Sequence, residues 1–95
     1  MDAPALQAAF RLATLCDALG HPARVAAFEH IAAARRPVML SELCEVIPLA
    51  QSTISQHVAV LVRAGLLRAE RKAPRTWYRV DAAGLAELRG RLVAI

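Results

Sequence analysis

Five short polar side chains, Gln51, Ser52, Thr53, Ser55 and Gln56, fall within six consecutive residues, and none is charged. Hydroxyls and carboxamides donate and accept hydrogen bonds. Gln56 can pair bidentately with the edge of an adenine, and the short hydroxyl side chains let a helix axis approach the floor of a major groove. Arg63 follows, and Arg68, Arg71, Lys72, Arg75 and Arg79 come soon after it. Cations in that setting suit phosphates, contacts that place a protein on a duplex without reading its sequence. The other reactive groups are two thiols, Cys16 and Cys44. A pair of thiolates suits a soft metal or metalloid, or forms a redox switch. Catalysis has no foothold: there is no glycine-rich phosphate loop, no nucleophile with a base and an orienting group, and no carboxylate pair in a plausible cleft.

The bulk properties agree with a polyanionic partner. The chain has 95 residues, read as a single domain over 1–95, with 12 Lys and Arg against 8 Asp and Glu for a net charge of +4. Double-stranded DNA is the natural partner for such a balance. The apolar share of 57% comes largely from alanine and leucine, which favour helix. Arg11, Asp17, Arg24 and Glu29 interrupt every apolar run before it reaches the roughly 18 residues needed to span a bilayer, so no membrane partner is expected. With no signal peptide, the expected location is the cytoplasm and both cysteines are expected as thiols.

These side chains need elements to hold them. Asp2 and Pro4 start a helix that runs to Leu19, Gly20 stops it, and Pro22 opens a second helix to about Ala34. Its inward face is read as Val25, Phe28 and Ala32. Val38 to Leu40 is strand-like. Ser41 is placed as the N-cap of a short helix through Val46, halted near Pro48. Gln51 to Ala64 forms the clearest helix, ended by Gly65: Ile54, Val58, Leu61 and Val62 share one face, and Ser52, Gln56, Ala59 and Arg63 share the other. Leu66 to Arg71 and Thr76 to Val80 form a hairpin around Lys72–Arg75, and Asp81 caps a last helix. The expected fold is mainly α with a small β-hairpin wing, a winged helix-turn-helix in the order helix, helix, short strand, helix, helix, hairpin, helix.

The first helix carries Leu6, Phe10 and Ala13 on one side and Leu12, Leu15 and Leu19 on another, leaving Gln7, Arg11, Thr14 and Ala18 on a narrow polar arc. A chain this short cannot cover both apolar sides. The last helix presents Leu85, Leu88, Leu92 and Ile95 on one stripe, so these ends are expected to make a homodimer through Leu6, Phe10, Leu85, Leu88 and Leu92. Among the histidines, His21 reads as a cap or turn residue and His30 as exposed. His57 reads as partly buried on the flank of its helix. Tyr78 is expected to pack inward, with Trp77 on the other face of its strand.

The runs His21–Arg24, Ser41-Glu42-Leu43-Cys44, Leu49 to His57 and Arg63-Ala64-Gly65-Leu66-Leu67, followed by Tyr78, closely resemble the ArsR/SmtB family of metalloregulatory repressors. The resemblance covers nearly the whole chain in order. It implies a homodimeric winged helix that occupies its operator until an inducer releases it. Gln51, Ser52, Thr53, Ser55, Gln56, Arg63, Arg71, Lys72 and Arg75 are then the expected DNA contacts. The chain departs from the family pattern at Ala50, where a hydroxyl is frequent, at Ala59, where a cation is frequent, and at the glycine-free wing tip. The family's metal site on the last helix lacks its histidines here, since only Asp81 and Glu87 remain as ligands. Its Cys-x-Cys site keeps Cys44 but has Val46 at the second position. Cys16, within or across protomers, is the other candidate ligand for a soft metal or metalloid. Two rival readings stay open: a winged helix that contacts protein, and a DNA binder without an inducer.

Overall fold

Asp2 and His21 each lie in extended backbone just before a helix and turn a side-chain acceptor back onto it. The Ala5 amide donates to Asp2 Oδ1 at 2.8 Å, and the Ala23 amide donates to His21 Nδ1 at 3.0 Å. With a proline in each first turn, these caps open α1 (Ala3–Ala18) and α2 (Pro22–Ala34). The computed structural model describes all residues 1–95. A two-residue strand β1 (Val38–Met39) leads directly into α3 (Leu40–Val46). Next come α4 (Gln51–Ala64), β2 (Leu67–Lys72), β3 (Arg75–Val80) and α5 (Ala82–Val93). The sheet is antiparallel in the order β1-β3-β2, with Val38 opposite Tyr78 and Leu67 opposite Val80. The hairpin closes on a two-residue turn at Ala73–Pro74, because the strands extend to Lys72 and Arg75.

One contiguous core joins these elements: Leu15 and Ala18 of α1, Ala27, Phe28 and Ile31 of α2, Leu43 of α3, Ile54, Val58, Leu61 and Ala64 of α4, then Leu66, Leu67 and Leu88. The radius of gyration is 14.2 Å, longer than the about 12 Å of a compact domain this size. Every residue from Met1 to Phe10 is exposed, so the first two turns of α1 stand clear of the core.

Several local expectations are corrected. Ser41 does not cap α3: the helix begins at Leu40 with Met39 as N-cap and no side-chain cap bond. β1 runs into it without a gap, which leaves no separate turn to place a cap. Cys44 is therefore the fifth residue of α3, beyond the free amides of the first turn. Ala18, assigned to the polar arc of α1, is core, because Arg24 of α2 folds over that end of the helix and brings α2 against it. On α2 the buried face is Ala27, Phe28 and Ile31, with Val25 and Ala32 half-buried at its edges. Leu88 is 5% exposed and belongs to the chain's own core, not to an exposed stripe. His30 is half-buried with its Nε2 2.6 Å from Glu42 Oε2, not free on the surface.

Gly84 is the clearest gain of the structure over the sequence. A β-carbon there would lie 1.7 Å from the Gly65 carbonyl oxygen. The first turn of α5 rests on the backbone that closes α4, and only glycine permits that approach. Gly65 itself takes φ 86, the left-handed conformation that ends α4.

Candidate nucleic-acid interface

α4 divides cleanly. Ile54, Val58, Leu61 and Ala64 are buried, while Gln51, Ser52, Gln56 and Arg63 are exposed. Thr53 and Ser55 lie half-buried on the flanks. Ala50 precedes the helix without offering a side-chain cap, so its first amides have no side-chain partner. A cavity of about 300 Å³ separates α4 from the wing, and Ser41, Gln51, Ser55, Arg75, Thr76 and Tyr78 line it. Burial pushes the Tyr78 hydroxyl above its ordinary pKa, so it stays protonated. Arg71, Lys72 and Arg75 are exposed at the wing tip, and Lys72 Nζ lies 3.6 Å from Glu70 Oε1. The structure thus gathers the uncharged polar face of α4 and the basic tip on the two sides of one groove, with Arg63 at the far end of the helix.

Three ion-pair and cap systems hold this frame, and the sequence reading recognised none of them. Arg11 Nη1 donates to the Ala64 carbonyl at 2.8 Å, capping the end of α4, while Nε and Nη2 donate to the two carboxylate oxygens of Glu87 on α5 at 2.9 and 3.0 Å. The guanidinium holds Glu87 below the usual carboxylate range. Arg24 Nε donates to the Ala18 carbonyl at 2.8 Å and Nη2 to the Asp17 carbonyl at 3.1 Å, closing α1. Arg36 donates twice to Glu42, and His30 Nε2 lies 2.6 Å from Glu42 Oε2, tying α2 and its exit loop to α3. Arg36 first, then His30, holds the Glu42 carboxyl low. Nothing in composition distinguishes these arginines from phosphate binders, since Arg24 caps backbone carbonyls and Arg11 joins the Ala64 carbonyl to a carboxylate 76 residues away.

His57 lies behind the exposed face of α4, partly buried as expected. Its ring centroid is 4.3 Å from that of His21, and its Nδ1 is 3.4 Å from Arg24 Nη1. Desolvation, then the charges of His21 and Arg24, push its pKa down. Cys16 is exposed on α1, and Cys44 is half-buried against the core on α3. Within one chain no three His, Cys, Asp or Glu side chains converge on a point that could hold a metal ion. A complete metal centre therefore does not fit a single chain.

The sequence profile of the helix-turn-helix domain matches residues 19–70, more than half of the chain. The chain belongs to the helix-turn-helix domain family. It is 37% identical over 51 residues to an uncharacterized HTH-type transcriptional regulator, YbzH of Bacillus subtilis (strain 168), a match covering 54% of this chain and 51% of the relative. The chain thus spans about half the length of the curated relative it matches. A solved structure described as a possible transcriptional regulator for arsenical resistance superposes with a TM-score of 0.76 at 28% identity, covering 84% of this chain and 81% of that one. The homodimeric winged helix-turn-helix DNA-binding domain of Mb0332 from Mycobacterium bovis, described as a possible ArsR-family regulator, superposes with a TM-score of 0.77 at 18% identity, covering 99% and 87%. The fold of this helix-turn-helix protein is that of the ArsR-type winged helix.

The chain's ends leave apolar surface uncovered. Leu6 is 49% exposed, Phe10 66%, Leu92 49% and Ile95 91%, while Leu85 packs partly on the core. Arg91 Nη1 donates to the Ala8 carbonyl at 3.0 Å and holds α5 beside the first half of α1, so both sets share one end of the molecule. No helix is long and apolar enough to cross a membrane.

Proposed function

We propose that this chain is an ArsR-type transcriptional regulator, not an enzyme, and that it represses by occupying operator DNA as a homodimer. The observation that carries the reading is the groove between α4 and the wing, where Gln51 and Ser55 face Arg75 across about 300 Å³ and Ser52, Gln56 and Arg63 continue the exposed face. An uncharged, short-chained helix face flanked by cations is suited to reading bases from a major groove while the cations contact phosphates. The homodimer is supported by the exposed Leu6, Phe10 and Leu92 at one end, and by the homodimeric state of the M. bovis relative. Fluorescence anisotropy on DNA from the protein's own promoter region, with a salt titration, tests the reading. The expected result is tight binding that falls steeply with salt and exceeds binding to unrelated duplex. Equal affinity for every duplex, or none for any, refutes it.

A finer reading concerns release. Cys16 is an exposed thiol on the helix that carries the dimer face, and Cys44 is half-buried on the first helix of the helix-turn-helix. An oxidant, or a soft metal or metalloid held by thiolates drawn from two protomers, would act where dimer and reading head meet. Replacing both cysteines with serine is expected to leave operator binding intact and abolish its release by arsenite, cadmium or a mild oxidant. Release that survives the double replacement refutes the thiol sensor.

A further inference from the structure

The side of the wing turned away from α4 also gathers positive charge. Along β3 the side chains alternate: Thr76 and Tyr78 line the groove beside α4, while Trp77 and Arg79 line cavities on the other side of the sheet. Arg79 borders three of them. One, of about 460 Å³, also meets Arg35 and Arg36; a second, of about 310 Å³, meets Arg68; a third, of about 460 Å³, meets Arg36, Lys72 and Trp77.

This gathering costs stability in the free protein. Arg68 stands directly opposite Arg79 in the hairpin register, and like charges so placed repel. Arg35 closes α2 at φ 53, a left-handed conformation unfavourable to a residue with a β-carbon. Glu70, opposite Trp77, lines two of these cavities, but its carboxylate lies 3.6 Å from Lys72 Nζ, and Glu42 pairs with Arg36; neither forms an ion pair with Arg35, Arg68 or Arg79. A bound anion would relieve the repulsion, and Trp77 adds an aromatic surface beside it.

We propose that this outer face of the wing binds a small anion that carries a planar aromatic ring, an aromatic carboxylate or a nucleoside phosphate, with Trp77 against the ring and Arg79 as the principal anion ligand. A guanidinium fork matches either anionic group bidentately, and it stacks on aromatic rings. Cavities of this volume fall within the range of small-ligand sites. Their position across the sheet from α4, away from the groove beside the reading helix, favours a ligand other than the duplex that α4 reads.

Trp77 is the single tryptophan of the chain, so its fluorescence reports on this face alone. The experiment titrates the protein with adenosine monophosphate, benzoate, inorganic phosphate, adenosine and duplex DNA. Saturable quenching by adenosine monophosphate or benzoate is expected, at least about tenfold tighter than by phosphate or adenosine, and whichever ring anion is preferred identifies a nucleotide or an aromatic acid. Arg79→Ala is expected to weaken that binding by at least about tenfold, Arg79→Lys by less, and Arg89→Ala on α5 not at all. No saturable change with either ring anion, or unaltered binding by Arg79→Ala, overturns the proposal. So does a Trp77 response confined to duplex DNA, which would make the face a backbone contact. Operator binding is read separately by anisotropy, so its loss leaves this outcome legible.

Discussion

The two halves of α1 live in different surroundings. From Arg11 onward the helix is built into the chain: Arg11 caps α4, Leu15 and Ala18 are core, and Arg24 closes the last turn. Before Arg11, every residue is exposed although Leu6 and Phe10 are large and apolar. The end of α4 stands with the first group, sealed by Gly65, Gly84 and Arg11. Where the chain supplies both partners, small residues and guanidinium caps fit backbone to backbone. Where it supplies one, apolar surface is left exposed.

The sharpest test of that contrast is Gly84→Ala. Its β-carbon would meet the Gly65 carbonyl at 1.7 Å, and backbone on both sides prevents easy relief. A loss of about 3 kcal/mol or more is expected in urea unfolding, or failure to fold; a loss under about 1 kcal/mol would show that this end is loosely built. Phe10→Glu should do the opposite. The helical circular dichroism of the dissociated chain stays as it was, while self-association measured by sedimentation weakens by at least about tenfold. Unchanged association would assign the exposed half of α1 to some other partner.

At the reading head the expected effects are smaller. Arg75→Ala should weaken binding to every duplex alike and lower the salt slope by about 0.9, whereas Gln56→Ala should cost about 1–3 kcal/mol on the operator alone. If Arg75→Ala alters sequence preference, the division between base-reading helix and phosphate-binding wing fails.

The smallest effect expected is on pH dependence. Desolvation, aided by His21 and Arg24, holds His57 below the ordinary histidine value of 6.5. As pH falls the unfolded chain takes up this proton first, so stability is full above about pH 6.5 and declines below it. His57→Gln should flatten that decline in urea unfolding followed against pH, and an unchanged profile would exclude His57 as its source. Glu87, held low by Arg11, and Glu42, held low by Arg36 and His30, act in a separate window, with stability lost only below their ordinary value of 4.5.

The resemblance to ArsR/SmtB repressors and the periodicities agreed on the architecture, because those signals are local. Gly65 ends α4, Asp2 and Asp81 cap their helices, and the two-residue alternation of β3 places Tyr78 inward. The sequence alone also set the character of the α4 face, since side-chain direction on a long regular helix follows from residue number.

Only the tertiary structure decided which cations belong to the fold. Arg11 and Arg24 cap helix ends, and Arg36 pairs with Glu42, while Arg35, Arg68 and Arg79 form no ion pair with Glu42 or Glu70. It also assigned Leu88 to the core, and it made Gly84 a requirement by laying α5 on the turn after α4. A guanidinium's partner can be a carbonyl some fifty residues away, as Ala64 is for Arg11. The fit of a glycine depends on which backbone reaches it, and no local periodicity encodes either contact.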